Sequence, residues 1–302
     1  MRYYALNTWL REKYGRKVYK LALQGVTTCP NRDGTVGDRG CIFCSDRGSG
    51  EFAASGSIPE QLQKAKERVA RKVPKNAGYI AYFQSFTNTY APTAYLRRIF
   101  AAAIEPEEIV ALSVATRPDV LGEEVLSLLE ELNRKKDVWV ELGLQTIHPA
   151  TARYIRRGYD LATFDRAVTE LKKRGITVVV HQIIGLPGET AEMIWETADY
   201  IARSGADGVK FHLLYVLRNT DLAEEYSAGL VKVLDEQDYF RLLGGCIERM
   251  RPGIVIHRLT GDGAKRDLIA PLWSGNKKQV LAAMQRYFEV FDIQQGRLYP
   301  GG

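Results

Sequence analysis

EIVALSVATRPDVLGEEVLSLLEELNRKKDVWVELGLQT, residues 108–146, sets the fold. Its two ends, EIVALSVAT (108–116) and VWVELGLQT (138–146), are apolar runs of strand length, and GEEVLSLLEELNRKK (122–136) between them repeats its leucines at helical spacing. A strand, an amphipathic helix and a second strand make a βαβ unit, in which the helix carries the chain back and the strands run parallel. The alternation continues upstream through strand VYKLALQG (18–25), helix IPEQLQKAKERVARKV (58–73), strand GYIAYFQ (78–84) and helix PTAYLRRIFAAA (92–103). Downstream it runs through helix LATFDRAVTELKKRG (161–175), strand ITVVVHQIIG (176–185), helix TAEMIWETADYIARSG (190–205) and strand GVKFHLLYV (208–216). Six strands alternating with helices predict an α/β fold, a partial (β/α)6 TIM-like barrel. Their apolar runs predict burial on both faces.

Beyond Val216 the regularity ends. Helices near DLAEEYSAG, through DEQDYFRLLGGCIERM (235–250) and through NKKQVLAAMQRYFEVF (276–291), with a strand GIVIHRLT (253–260), predict an extension that closes one side of the barrel. The chain is therefore expected to divide into a basic, aromatic segment (1–17), a barrel (18–216) and a C-terminal extension (217–302) that contributes to substrate binding.

The chain has 302 residues and is 45% hydrophobic, enough for a full core. No run resembles a membrane span or signal peptide, and four cysteines, three of them clustered, suit a reducing compartment, so a cytoplasmic protein is expected. The net charge is +6, but residues 1–20 and 249–302 carry +5 each and the middle carries −4. Basic ends around an acidic middle fit a polyanionic partner, nucleic acid first.

The clustered cysteines lie in CPNRDGTVGDRGCIFC (29–44), with eleven residues between Cys29 and Cys41 and two between Cys41 and Cys44. Glycines at 34, 37, 40, 48 and 50 make the segment a loop just past a strand end, where parallel α/β folds carry their chemistry. Two metal sites are open at this point. Zinc would need a fourth ligand, Cys246 or a histidine, whereas an iron–sulfur cluster on three thiolates would keep one iron open to a ligand.

Polar residues stand in or after every strand: Gln84 and Ser85; Arg117; Glu141 and Gln145; His181; Lys210 and His212. His181, His212 and His257 are candidates for anion binding or proton transfer near neutral pH. Arg117, Lys210, Arg258 and Lys265 are candidate anion ligands.

Together these motifs resemble a radical S-adenosylmethionine (SAM) enzyme. The gap after Cys29 is longer than the common Cys-x3-Cys-x2-Cys pattern, and with PNRDG, FQSFTNTYAP, TRPD, ELGLQT, RRGY, HQIIGLPGET and RLTGDG it resembles the YtqA/YhcC branch, and through it MnmL-type enzymes of tRNA modification. The resemblance implies a [4Fe–4S] cluster on Cys29, Cys41 and Cys44, with SAM on its open iron and reductive SAM cleavage to a 5′-deoxyadenosyl radical. It implies further SAM contacts from Phe43, from Gln84 and Ser85 in place of the usual Gly-Gly-Glu, from Glu141 and Gln145, from Arg157 or Arg156, and from the turn holding Ile183, Gly185 and Leu186. His181 and His212 are left as the catalytic candidates. The implied reaction converts the carboxymethylaminomethyl group of wobble uridine to aminomethyl, with the basic ends of the chain holding the anticodon stem-loop and Arg or His in the mouth binding the carboxylate. The implied partners are an electron donor such as flavodoxin or ferredoxin and a methyltransferase that completes the modification.

Overall fold

The computed structural model describes residues 2–45, 48, 56–74, 76–261, 263 and 265–301; Gly50 and Asp262 of the motifs above lie outside them. In chain order the elements are α1 (Leu6–Tyr14), β1 (Val18–Leu23), α2 (Ile58–Val69), β2 (Gly78–Phe83), α3 (Thr93–Ile104), β3 (Ile109–Thr116), α4 (Glu123–Asn133), β4 (Asp137–Gln145), α5 (Pro149–Tyr154), α6 (Leu161–Lys173), β5 (Thr177–Ile184), α7 (Ala191–Arg203) and β6 (Gly208–Leu213). There follow β7 (Val216–Leu217), α8 (Asp221–Ser227), α9 (Glu236–Arg249), β8 (Val255–Arg258), β9 (Leu268–Ala270) and α10 (Lys277–Val290). Helix starts follow their capping residues: Asp160, Thr190 and Asp235 each accept a hydrogen bond from the backbone three residues on.

Seven strands form one parallel sheet in the order β1-β2-β3-β4-β5-β6-β8, curled into a half-barrel with helices outside. Six strands were expected. The seventh, β8, is the GIVIHRLT run assigned above to the extension; it pairs parallel to β6 because α9 acts as one more crossover helix.

The two faces of the sheet differ in a way the apolar reading of the strands missed. Outward residues such as Val138, Val140 and Leu142 of β4 join the main core with α4 and α6. Inward residues are polar and charged: Tyr82, Ser113, Glu141 and Lys210 are all buried. Burial on both faces is real, but the inner face is apolar at its base, at Ile80, Ala111 and Trp139, and polar above it.

The N-terminal segment has a structural task. Leu6, Trp9, Leu10 and Tyr14 of α1 pack on Val18, Ile80, Ala111 and Trp139, closing the end of the barrel where strands begin. Trp9 meets the fully buried Trp139 edge-on at 5.3 Å, an aromatic pair worth about 0.5–1.5 kcal/mol beyond its burial. Lys13 pairs with Asp137 at 2.7 Å and Arg2 with Asp292 at 2.9 Å. Arg2 and the charges of α1 thus stand around the strand starts, whereas Lys20 on β1 reaches inside the barrel to Glu141.

Candidate active site

The open end of the half-barrel holds a cavity of about 300 Å³. Its upper wall is the cysteine loop, with Cys29, Cys41, Phe43 and Cys44, and its lower part is lined by Tyr82, Glu141, His181, His212 and Arg258.

The loop is anchored from beneath by the RRGY turn. Asn31 Nδ2 donates to the Arg156 carbonyl at 2.6 Å and lies 3.5 Å from Cys41 Sγ. Gly158 has φ +83°, and a Cβ there would stand 2.7 Å from Asn31 Oδ1, so glycine permits this close approach. Below the turn, the ring of Tyr159 lies under two guanidinium groups, Arg117 at 5.1 Å and Arg157 at 4.7 Å.

All three clustered thiols are partly exposed and line one wall. Burial, with Cys44 beside it, pushes the Cys41 thiol up to about 12. Such a thiol becomes a thiolate only against strong positive charge, and three sulfur donors facing an accessible cavity fit an iron–sulfur cluster with one open iron. Of the candidate fourth ligands for zinc, Cys246 is fully buried in α9 as part of the main core, whereas His181 and His212 line the cavity, His181 already donating to Glu141. Among the described residues, no three His, Cys, Asp or Glu side chains gather as a single-ion site.

The cavity floor is a charge network centred on Glu141. Its Oε1 accepts from Lys20 Nζ at 2.9 Å and Ser113 Oγ at 2.8 Å; its Oε2 accepts from His181 Nε2 at 2.9 Å and from Lys210 Nζ. Four donors use the four acceptor directions of a carboxylate. Burial alone would raise this carboxyl, but Lys20 and Lys210 outweigh it and hold it well below the carboxylate range. His181 is pulled down to about 4, chiefly by burial and against the attraction of Glu141, so it is neutral at pH 7. Its ring lies 5.1 Å from that of His212, whose buried Nε2 has no hydrogen-bond partner among the described residues.

The other residues named from sequence fall in different places. Phe43, Gln84, Gln145 and Ile183 line the cavity. Ser85 is buried and is not among the lining residues; its Oγ has no partner among the described residues. Gln145 has φ +60° at a bulge against β5, and its amide nitrogen, turned toward them, reaches the carbonyls of Gly143 and Leu144 at 2.9 Å each. Arg157 lines the cavity, yet its guanidinium donates to the carbonyls of Leu144 (3.0 Å), Thr146 (2.6 Å) and Tyr159 (3.0 and 3.1 Å). Arg156 pairs with Asp221. Gly185, with φ +94° and Leu234 Cδ1 2.9 Å from where a Cβ would stand, and Leu186 line a neighbouring cavity under Leu230 and Leu234. His257 packs at the barrel floor, 5.5 Å from the Trp139 ring.

Sequence reasoning passed over Asn31, Lys20, Tyr82, Ser113 and Tyr159. The signal for three of them was parity. Lys20, Tyr82 and Ser113 stand at inward positions of strands read as uniformly apolar.

The half-barrel of parallel strands is closed at its base and carries three thiols at its mouth. Residues 31–201 match the Radical SAM superfamily model and residues 206–289 its C-terminal domain. The chain belongs to the radical SAM superfamily and, within it, to the YtqA/YhcC family. The uncharacterized protein YtqA of Bacillus subtilis (strain 168) is 43% identical over 300 residues, 99% of this chain and 93% of its own length. A tRNA uridine(34) acetyltransferase of Methanocaldococcus jannaschii is 30% identical over 141 residues, 44% of this chain and 25% of its length. In fold, the chain is similar to the solved structure of archaeal Methanocaldococcus infernus Elp3, with a TM-score of 0.69 at 19% identity, over 92% of this chain and 64% of that one. The protein is thus a radical SAM enzyme, of a superfamily that uses a [4Fe–4S] cluster with SAM. Among the described residues no helix is long and apolar enough to cross a membrane.

Proposed function

We propose that this enzyme holds a [4Fe–4S] cluster on Cys29, Cys41 and Cys44, binds SAM in the adjoining cavity, and converts the carboxymethylaminomethyl group of a tRNA wobble uridine to aminomethyl in the cytoplasm. The observation that carries the reading is the cavity itself, which joins the three thiols to a neutral His181 and to His212 across one small space. The similarity to a tRNA uridine(34) acetyltransferase supports the choice of substrate. When bound, the cluster and SAM supply reductive cleavage of SAM and a carbon radical that abstracts hydrogen.

The chain's own residues orient, shield and move protons. Asn31 and the RRGY turn fix the loop, and α1 seals the base against water. Overall, the substrate's amine–methylene unit would lose two electrons and two protons and gain one water, releasing glyoxylate and leaving the primary amine, with SAM as the two-electron oxidant that ends as methionine and 5′-deoxyadenosine. His181, donating Nε2–H to Glu141, has Nδ1 as an acceptor for a proton lost beside the substrate nitrogen. Phe43, Gln84, Gln145 and Ile183, which line the cavity, would contact SAM or the base, while Ser85, Gly185 and Leu186 lie outside that lining. A flavodoxin- or ferredoxin-type protein supplies electrons, and a methyltransferase consumes the product.

Incubating the reconstituted enzyme with SAM, reductant and tRNA bearing the carboxymethylaminomethyl group tests the substrate. The expected product is the aminomethyl nucleoside, seen by mass spectrometry of digested tRNA; SAM cleavage with an unchanged nucleoside would remove this substrate.

RNA must approach the mouth. β7 follows β6 at that end and pairs with β9, so exposed Lys265 and Arg266 beside β9, and Lys277 and Lys278 at the start of α10, flank it. Neutralising these four is expected to weaken RNA binding and flatten its salt dependence, with a slope smaller by up to about 4, whereas neutralising Arg11 and Lys17 on the far end leaves both unchanged. Affinity titrations over a salt series decide this; equal effects of the two sets would move RNA off the mouth.

A further inference from the structure

We infer that the inner end of the cavity is a carboxylate subsite, formed by Arg258 and His212 and backed by Lys210, that receives the terminal carboxylate of the RNA-borne side chain. The inference rests on the substrate reading above and names the residues that read the substrate's charged end.

Three observations point there. First, Glu141 is saturated: it already accepts from Lys20, Ser113, His181 and Lys210, so it offers no acceptor to the His212 ring above it. Second, the cations converge. Lys210 and Arg258 are direct register partners on β6 and β8, and Arg258 and His212 both line the cavity. Third, His212 Nε2 is a buried, unpartnered polar atom on the lining of that cavity, as a donor awaiting an acceptor would be. The direction of titration agrees: burial, with Lys20 and Arg258, pulls Lys210 well below the lysine range, and burial, with His181, Arg258 and Lys210, pulls His212 below the histidine range. Each would gain by an incoming negative charge.

The assignment does not need Arg258 to lack other contacts. A guanidinium has five N–H donors, so one partner elsewhere leaves enough for a carboxylate held in two-point contact. Tyr82, whose hydroxyl accepts from Lys210 at 2.9 Å, holds that ammonium toward the floor, making Lys210 and Tyr82 positioning residues and Arg258 with His212 the contacts.

The test is equilibrium binding without reductant, so that no turnover is read. Anaerobically reconstituted full-length protein is titrated with two anticodon stem-loop RNAs, one carrying carboxymethylaminomethyl uridine and the other its neutral carboxamide analogue. The wild type is expected to prefer the carboxylate RNA by roughly tenfold to a hundredfold. Arg258→Gln and His212→Gln are each expected to lose most of that preference while still binding the amide RNA, which also shows that the variants fold; Arg258→Lys is expected to keep part of it. SAM binding, measured alongside, identifies the source of the anion. If the variants keep the RNA preference and lose SAM affinity, the floor reads the SAM carboxylate and the assignment is wrong. Equal binding of both RNAs by the wild type overturns the assignment alone, and binding of neither overturns the tRNA reading and the assignment with it.

Discussion

Glu141→Ala is expected to lower the stability of the fold by about 3–5 kcal/mol, measured by denaturant unfolding under anaerobic conditions. The carboxylate is fully buried and is the shared partner of Lys20, Lys210, His181 and Ser113. Removing it strands two ammonium groups and a histidine inside the barrel, the arrangement in which breaking a buried pair costs most. Glu141→Gln keeps the shape and two of the polar contacts but not the charge, and is expected to fall between alanine and the wild type. The same network makes the wild type sensitive to acid. The carboxyl of Glu141 lies below its ordinary value of 4.5, so the stability it contributes is present above that pH and is lost as pH falls further. His181 titrates near 4 rather than 6.5, so between those values the unfolded chain binds the extra proton and stability falls with falling pH. Glu141→Ala should flatten the part of this acid limb below pH 4.5, and an unchanged limb there would mean that other groups set it.

Much of the fold was legible because its signal is periodic. The run at 108–146 alternates strand and helix patterns, and β3, α4 and β4 fall where those patterns lie. The strand at 253–260 was legible but its place as the seventh of the sheet was not, because β8 spans only Val255–Arg258 and stands beyond the regular repeat, next to helices that cross the sheet without resembling the earlier units. Glu141, His181, Lys210 and His212 of the inward polar row were legible, but Lys20, Tyr82 and Ser113 escaped for a different reason. A single lysine in VYKLALQG or a serine in EIVALSVAT barely disturbs an apolar run, and only the pleat, which sends alternate side chains to opposite faces, shows that Lys20 and Ser113 meet Glu141. Arg157 illustrates a third limit: sequence marks an arginine suited to an anion, but its contacts with the carbonyls of residues 144, 146 and 159 arise from a turn that folds Arg157 back onto the end of β4. The cysteines were the easiest part of the site to read, since their chemistry depends on residue type and proximity in one loop.

Cys41→Ala should abolish the chemistry while leaving the fold intact. The side chain stands in a loop held by Asn31 and by backbone bonds such as Gly40 N to the Asn31 carbonyl at 2.6 Å, none of which needs the sulfur. Two thiols cannot hold what three were placed to hold, so iron and acid-labile sulfide should drop to background, and with them cleavage of SAM. Circular dichroism and the unfolding midpoint of the metal-free proteins should match between variant and wild type. The direct measurement is iron and sulfide content, with 5′-deoxyadenosine formed from SAM under reductant, on anaerobically reconstituted wild type and Cys41→Ala. The account predicts a cluster and SAM cleavage in the wild type and neither in the variant. A wild type that takes up zinc instead, or a Cys41→Ala protein that keeps both cluster and cleavage, would contradict it.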